Sequence, residues 1–395
     1  MTTRAMSLAA ASRAARASAA RNSNVFLLTL CTSALLLLGL IMILSASSVS
    51  SFATYGSSFL FFKKQLAWAA LGLIGFIGFS RMDYRRLRGW GYPAILIALG
   101  LLVAVLIPGF GVMVGGSSRW ISLGPISFQP SELAKLALIL FAAEVFARKK
   151  EKTLKIRAHA FLPLVPALAA LALLVMLQPD LGTTVLLGAI GLGMLFVAGA
   201  PFRHVGLIGV SGVVLAAVAA LSEPYRRARI LAFRDPWADP LNTGYQTIQS
   251  LIALGSGGWW GVGLGGSRQK WLYVPNAHTD FIFAILGEEM GLIGTLVVLG
   301  LFAFITYLGF GIARDAPDRF GLLVASGITI AIACQTLVNI GAVTGALPIT
   351  GVPLPLVSFG GTSLVVTLCA IGILTSIGRA GRSGRAPAHR DAATK

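Results

Sequence analysis

Charged side chains are scarce in this chain: of its 395 residues, 12% are Asp, Glu, Lys or Arg, whereas 56% are hydrophobic. Soluble globular proteins carry about 25% charged residues, so this composition excludes an ordinary soluble domain. Apolar runs of roughly 17 to 25 residues recur along the chain, which is the length a helix needs to cross about 30 Å of hydrocarbon. The runs lack the alternation of a membrane-spanning β-barrel. The sequence therefore predicts an all-α polytopic membrane protein, because spanning helices satisfy their own backbone in lipid.

Acidic residues and cysteines are also few. There are 14 Asp and Glu residues against 32 Lys and Arg residues, and only 3 cysteines. Cys31, Cys334 and Cys369 each lie inside an apolar run without metal-ligand spacing, which indicates small core residues. The basic residues lie mostly between the apolar runs, where they indicate membrane orientation and no nucleic-acid partner.

The apolar runs predict about ten spans. The first, Val25 to Leu44, is too long for the core of a signal peptide and is predicted to remain as an uncleaved span. Most basic residues then fall on the side of the N-terminus, so the positive-inside rule predicts that both termini are cytoplasmic. Disordered basic tails are predicted at 1–23 and 379–395, flanking a transmembrane domain at 24–378. The other nine spans are predicted at 65–80, 91–108, 131–147, 161–177, 182–199, 204–222, 282–310, 320–344 and 358–378.

A large outer loop is predicted at about 223–281, between the seventh and eighth spans. Indole rings favour the membrane interface, so its tryptophans are predicted to anchor the loop at the outer leaflet. Apolar side chains between Tyr245 and Ile252 share one helical face, which predicts a short helix on the bilayer surface. The loop contains four of the 7 tryptophans, which are Trp237, Trp259, Trp260 and Trp271.

A glycine-rich turn at 261–266 lies in this loop and is followed by Arg268 and Lys270. Exposed backbone amides beside two cations can hold a phosphate, and a plain flexible turn fits the pattern equally well. Arg268 and Lys270 are therefore candidate substrate-binding residues.

Three charged residues lie at the outer ends of two other spans. Glu132 and Lys135 have the spacing of an ion pair within one helix. Because Lys135 falls several residues inside the hydrocarbon boundary, where a charge is costly, we expect an aqueous cavity open to the outside; a purely structural pair is the alternative. Asp180 either caps the following helix or completes a cluster around Lys135.

His278 and Asp280 stand where the eighth span begins. Helical spacing places Asp280, Glu288 and Gly291 on one face. Carboxylates within an apolar run are costly, so Glu288 and its neighbour Glu289 indicate either a buried structural network or a functional site. An outward-facing carboxylate near cations has the properties of a general base. His278 is a further candidate for substrate binding.

Five segments carry a family resemblance: SSRWISLGPISFQPSELAKLAL (117–138), QPDLGTT (178–184), GYQTIQSLIALGSGG (244–258), GVGLGGSRQKWLYVPNAHTDFIFAILGEEMGLIG (261–294) and NIGAVTGALPITGVPLPLVSFGGTS (339–363). In these segments the chain resembles the SEDS family, over about residues 25–378. The GSRQK and VSFGG motifs resemble its cell-division branch more than its elongation branch.

This resemblance implies a peptidoglycan glycosyltransferase in the bacterial cytoplasmic membrane. Such an enzyme polymerises lipid II into β-1,4 glycan strands at the division septum, together with a class B penicillin-binding protein. The resemblance implies that Asp280 is catalytic, that Arg119 handles substrate, and that Glu132, Lys135 and Asp180 match charged positions of the family motifs. A divalent cation, Mg²⁺ or Mn²⁺, bridging a carboxylate and the diphosphate is a further expectation.

Two other functions stay open at this point. A transporter moving lipid II across the bilayer would use inward charges such as Lys135, Asp180 and Glu288. Transporters place their site near the midplane, often with broken helices in both halves, whereas these motifs lie at the outer end. A scaffold that recruits the penicillin-binding protein would need no catalytic carboxylate.

Overall fold

The computed structural model describes residues 2–114, 117–124, 126–148, 163–271 and 273–383. Each of the ten predicted spans overlaps a helix of this structure, and two further helices lie in the predicted outer loop. The twelve α-helices within the described ranges are α1 (Thr2–Tyr55), α2 (Leu60–Arg81), α3 (Gly91–Leu106), α4 (Pro130–Ala147), α5 (Leu164–Leu177), α6 (Leu181–Val197), α7 (Phe202–Ser222), α8 (Pro224–Arg234), α9 (Tyr245–Ser256), α10 (Ile282–Arg314), α11 (Arg319–Val343) and α12 (Gly361–Ser383).

The outer surface of the bundle is apolar. Six helices, α1, α2, α7, α10, α11 and α12, are long and apolar enough to cross a membrane, and α3, α5 and α6 are shorter apolar helices. On α7, the side chains of Leu207, Val213 and Leu215 are largely exposed. A continuous apolar surface of this kind suits lipid and not water. The chain is thus a multi-pass membrane protein, as predicted.

Helix α4 lies inside the bundle, packed against α3, α6 and α11. Its three charged residues, Glu132, Lys135 and Glu144, are all buried. Buried charges need partners, and the carboxylate of Glu144 accepts a hydrogen bond from the Gly91 amide at 2.8 Å and pairs with Arg148. The short helix α9 was predicted within the outer loop, and its buried Ser250 hydroxyl donates to the Val343 carbonyl at 2.7 Å.

Helix α10 is broken at Gly291, where the backbone has φ 68° and ψ −167°. A Cβ at Gly291 would lie 2.4 Å from the Gly261 nitrogen, so this position requires glycine. The glycine-rich turn inserts into the break and satisfies the backbone groups that a continuous helix would have paired. These hydrogen bonds run from Val262 N to the Glu288 carbonyl at 2.9 Å, from Gly263 N to the Glu289 carbonyl at 3.1 Å, and from Leu292 N to the Gly258 carbonyl at 2.9 Å.

A small antiparallel sheet occupies the segment before α4. Its strands are β1 (Gly111–Val114), β2 (Ser117–Leu123) and β3 (Ile126–Phe128), in that order. The all-α prediction did not include this sheet, because strands this short give little periodicity to read. The sheet leads directly into α4, and the amide of Gln129 donates to the Thr362 hydroxyl at 3.1 Å, which ties this corner to α12.

The two termini differ from the predicted tails. Helix α1 continues through residues 2–22, where a disordered tail was predicted, since Ala and Arg are strong helix formers. At the other end α12 runs to Ser383, past the predicted boundary at 379. Residues 384–395 of the predicted tail lie outside the described residues.

Candidate active site

Asp280 lies in the turn immediately before α10, and its backbone is held from two directions. The side-chain amide of Asn339, on α11, donates to the carbonyls of Asp280 and Val352, both at 2.8 Å. Two residues earlier, the carbonyl of His278 accepts a hydrogen bond from the Phe359 amide at 2.9 Å. The turn that carries Asp280 is therefore fixed against α11 and against the segment that precedes α12.

The carboxylate of Asp280 is half-buried and accepts no hydrogen bond from any described residue. Gly351 faces it: φ is 74° there, and a Cβ would come 3.6 Å from the Asp280 Oδ2. Burial raises the pKa of Asp280 to about 6, the guanidinium groups of Arg229 and Arg119 oppose this rise, and the carboxylate of Asp180 adds to it. An unpaired carboxylate with such a pKa can accept a proton near neutral pH.

Arg119 projects from β2 onto the corner between α5 and α6. Its Nε donates to the Gln178 carbonyl at 3.2 Å, and its Nη2 donates to the Pro179 carbonyl. Its Nη1 lies 3.9 Å from Asp180 Oδ2. These bonds hold the small sheet over the site and keep the guanidinium charge near Asp280.

Asp180 serves two purposes at this corner. Its carboxylate caps α6, because Oδ1 accepts from the Thr183 amide at 3.0 Å and Oδ2 from the Thr183 hydroxyl at 2.9 Å. The same carboxylate pairs with Arg119. The predicted cap is confirmed, whereas the alternative, a cluster around Lys135, is not formed: within the described chain, the carboxylate of Asp180 pairs with Arg119 and accepts hydrogen bonds from Thr183.

Lys135 belongs to a buried polar network one turn away along α11. Its ammonium group donates to Glu132 Oε1 at 2.8 Å and to Gln335 Oε1 at 2.6 Å. The amide of Gln335 in turn donates to the Pro353 carbonyl at 2.9 Å. Since Gln335 and Asn339 are four residues apart on α11, the Lys135 network and the Asp280 turn share one helix face.

This network corrects the predicted aqueous cavity at Lys135. The side chain of Lys135 is 8% exposed and that of Glu132 is 4% exposed. Both are paired in the interior of the bundle, so the structural ion pair is the arrangement found. A lysine buried at membrane depth needs such partners, because an unpaired buried charge is strongly destabilising.

Glu288 and Glu289 form a second acidic cluster within α10. Glu288 accepts hydrogen bonds from the Arg268 amide at 3.0 Å, the Gln269 amide at 3.2 Å and the Ser267 hydroxyl. Lys270, which is buried, lies 3.6 Å from Glu289 Oε1. The buried structural network is therefore the correct interpretation of these two carboxylates, and Lys270 belongs to it.

The structure does not support three predictions about this region: the phosphate-binding turn, the role of Arg268 and the shared helix face. Within the glycine turn, the amides of Val262 and Gly263 bond to the carbonyls of Glu288 and Glu289, so these two amides are not presented to a phosphate. Arg268 is exposed on the loop, outside the contacts that surround Asp280. The shared face of Asp280, Glu288 and Gly291 does not exist, because α10 begins at Ile282 and breaks at Gly291.

His278 is packed between aromatic rings. Its ring centroid lies 4.6 Å from that of Phe61 and 5.7 Å from that of Phe359. Burial lowers the pKa of His278 to about 4, so the imidazole is neutral at neutral pH. Its observed contacts position the turn that carries Asp280.

Three residues at this site were missed from the sequence. Arg229, on α8, donates to the Ile349 carbonyl at 3.4 Å and acts electrostatically on Asp280. No local motif around Arg229 indicates this role. Gln335 and Asn339 gave a clearer signal, because two amide side chains four residues apart inside an apolar span need buried partners.

No group of three or more His, Cys, Asp or Glu side chains able to hold a metal ion occurs among the described residues. The three cysteines are free thiols within helices; Cys31 is buried, as predicted for a core residue, whereas Cys334 and Cys369 are half-buried. A divalent cation shared with a diphosphate needs only one or two carboxylates, with water and phosphate oxygens as the remaining ligands. Asp280 offers such a carboxylate.

Comparison with known proteins decides the family. The model of the FtsW, RodA and SpoVE family, described as a cell cycle protein, matches residues 25–383. The chain belongs to this family. It is 45% identical over 365 residues to stage V sporulation protein E of Bacillus subtilis, covering 92% of this chain and 99% of that protein. It is 42% identical over 344 residues to the probable peptidoglycan glycosyltransferase FtsW of Geobacter metallireducens, covering 87% of this chain and 92% of that relative.

Solved structures of the family have the same bundle. One, described as "Structural coordination of polymerization and crosslinking by a peptidoglycan synthase complex", aligns with a TM-score of 0.73 at 32% identity, over 89% of this chain and 96% of that one. The rod shape determining protein RodA of Thermus thermophilus aligns with a TM-score of 0.66 at 28% identity, over 89% and 95% of the two chains. The resemblance to the SEDS family is thereby confirmed, together with the polytopic α-helical fold.

Proposed function

We propose that this family member is a peptidoglycan glycosyltransferase that polymerises lipid II at the division septum. The observation that carries the proposal is the carboxylate of Asp280, unpaired by hydrogen bonds and placed within the electrostatic reach of Arg119 and Arg229. A base beside two fixed cations suits a sugar donor whose leaving group is a diphosphate. The curated FtsW relatives carry the name of this activity.

In the proposed reaction, Asp280 accepts the proton of the acceptor 4-hydroxyl as that oxygen attacks the anomeric carbon of the donor. The bond from this carbon to the diphosphate oxygen breaks, and its electron pair leaves with the diphosphate. An α-linked donor that gives a β-1,4 product requires inversion, so a single displacement with one base is sufficient. The paired carboxylates of glycosidases are unnecessary because a diphosphate leaves without an acid.

Arg119 and Arg229 would stabilise the negative charge that develops on the diphosphate. Arg119 is held in place by two backbone carbonyls, and Arg229 by the Ile349 carbonyl. Fixed cations need no reorganisation during the reaction, which is why preorganised charge lowers a barrier effectively. A divalent cation, Mg²⁺ or Mn²⁺, would supply additional charge neutralisation, and Asp280 is the carboxylate of the site that could hold it.

The direct test is glycan synthesis by the purified chain in lipid vesicles supplied with labelled lipid II, with and without a class B penicillin-binding protein and with and without added Mg²⁺ or Mn²⁺. We expect polymer of increasing length with wild-type protein. Arg86→Gln changes a charge far from Asp280, so it should polymerise at the wild-type rate and serves as the control for variants of the site. Absence of polymer under every condition, with correctly folded protein and its partner present, contradicts the proposed activity.

The partner and the location form part of the same proposal. A class B penicillin-binding protein is the expected partner, which fits a structural relative described as coupling polymerisation to crosslinking. Cytoplasmic termini are proposed from the basic residues between the spans. Co-purification with the penicillin-binding protein tests the first statement, and protease accessibility of a C-terminal tag in sealed vesicles tests the second.

Transport of lipid II is the second candidate, and the break in α10 is the observation that favours it. Discontinuous helices are common at the substrate sites of transporters. In this chain, however, the inserted turn pairs with the freed backbone groups, which leaves them unavailable to a substrate. Movement of labelled lipid II between leaflets without polymer formation would favour transport over the proposed enzyme.

A further inference from the structure

A cavity of about 470 Å³ lies far from Asp280, between the last turns of α2 and α12. Three arginines, Arg81, Arg85 and Arg379, and a single carboxylate, Asp83, line it. A cavity of this size holds a ligand of small-molecule dimensions. Because three guanidinium groups face one carboxylate, the net positive charge of the cavity favours an anionic ligand.

The position of this cavity follows from two helices. Near its start, α2 contacts the active-site turn through Phe61, which packs on His278. It contains 22 residues and ends at Arg81, which corresponds to about 33 Å of helix. The hydrocarbon layer is about 30 Å thick, so the cavity lies at the opposite membrane interface, at the depth of lipid phosphates.

The polar groups at the base of the cavity already have partners. The Ser376 hydroxyl donates to the Met82 carbonyl at 2.6 Å and accepts from the Tyr84 amide at 3.2 Å. Asp83 accepts from the Arg85 amide at 2.9 Å, which caps the short helix Tyr84–Leu87. The base is thus rigid and needs no ligand to complete it.

The arginines retain donors for a ligand. Arg379 donates from Nη1 to the Ser80 carbonyl at 3.1 Å, which fixes its position. Arg85 donates from Nε to Asp318 at 3.3 Å. Arg81 is exposed and forms no ion pair within the described chain. Three guanidinium groups with free N–H donors around one cavity match the oxygens of a phosphate.

We propose that this cavity binds the phosphate of an anionic phospholipid from the leaflet opposite the active site. Basic pockets between membrane helices recognise such head groups. The bound phosphate would link the end of α2, the α2–α3 connection and the end of α12. This site is independent of the proposed glycosyltransferase activity, since it requires only that the bundle spans a membrane.

Native mass spectrometry of the full chain in detergent tests this site, with titrations of phosphatidylglycerol and of phosphatidylcholine. We expect phosphatidylglycerol adducts to dominate, and Arg81→Gln to weaken them about tenfold. Arg379→Gln should act similarly, but Arg81 is the safer variant because it makes no bond that the fold needs. The matched control is Arg86→Gln, a nearby arginine on the short helix Tyr84–Leu87 that does not line the cavity, which should bind like wild type.

A competition arm with inorganic phosphate identifies the source of the ligand. Retention of the lipid in the presence of equal phosphate supports a phospholipid site. Displacement at equal concentration overturns the lipid assignment in favour of a free anion. Equal adducts with both lipids, or equal losses in Arg81→Gln and Arg86→Gln, overturn the site itself.

Discussion

Asp280 and Glu288 are carboxylates only eight residues apart, and their surroundings are opposite. Asp280 is half-buried, accepts no hydrogen bond from the described residues and faces two arginines through space. Glu288 is fully buried, and three donors of the loop at 267–269 bond to it. A carboxylate whose two oxygens both accept hydrogen bonds from the fold holds structure together, whereas one that lacks partners is available for chemistry. The comparison separates the two roles without reference to sequence motifs.

The largest expected effect is on activity at Asp280. We expect Asp280→Asn to lower glycan synthesis about a thousandfold, because the amide cannot accept the proton of the acceptor hydroxyl. Initial rates with labelled lipid II measure this loss. Polymerisation within a few-fold of wild type would remove the distinction between the two carboxylates.

The same variant should not lose stability. Burial raises the pKa of Asp280 from 3.8 to about 6 in the folded state. The ionised form therefore destabilises the fold, fully above about pH 6 and not at all below the unfolded value. We expect Asp280→Asn to unfold at the wild-type temperature or above it at neutral pH, as measured by thermal scanning fluorimetry.

Glu288→Ala should show the reverse pattern. It leaves two amides and a hydroxyl without an acceptor in the interior, which costs about 3 kcal/mol or more of the free energy of unfolding. Thermal scanning in one detergent should therefore show a lower melting temperature than wild type. The folded fraction should retain most of its activity per molecule. A stable but inactive Glu288→Ala protein would mean that this carboxylate also takes part in the reaction.

Substitution of Lys135 tests whether the buried pair of Lys135 and Glu132 contributes to stability, as Glu288 does, or to activity, as Asp280 does. Removing one partner of a buried ion pair costs about 3 kcal/mol, so Lys135→Met should lower the melting temperature. The double variant Lys135→Met with Glu132→Leu should recover most of the loss, since both charges are then gone. A single variant with wild-type stability and no activity would move Lys135 into the catalytic site.

Arg229 has the smallest expected effect. We expect Arg229→Gln to lower the polymerisation rate about tenfold, as the removal of one of two cations near a developing charge does. Arg227→Gln, an exposed arginine on the same helix, is the matched control and should change the rate by less than twofold. Equal effects of the two variants would indicate a general contribution of loop charge.

Much of this fold could be predicted from the sequence because lipid imposes long apolar runs, and each predicted span became a helix. The break in α10 was not predicted, because the sequence does not show whether a glycine within an apolar run has a negative or a positive φ. That error, together with the assumption that the helix includes Asp280, produced the false shared face of Asp280, Glu288 and Gly291. Arg229 was missed for a related reason: its proximity to Asp280 depends on how the outer loop folds back, which no local pattern encodes.

The most direct test of the central claim is the pH dependence of kcat/KM for glycan formation by the wild-type chain. If Asp280 is the base, with its pKa raised to about 6, the rate should be about tenfold below its plateau near pH 5. The profile should rise through pH 6 and level off above pH 7. A profile that is flat from pH 5 to pH 8 would contradict the assignment of Asp280 as the group that accepts the proton.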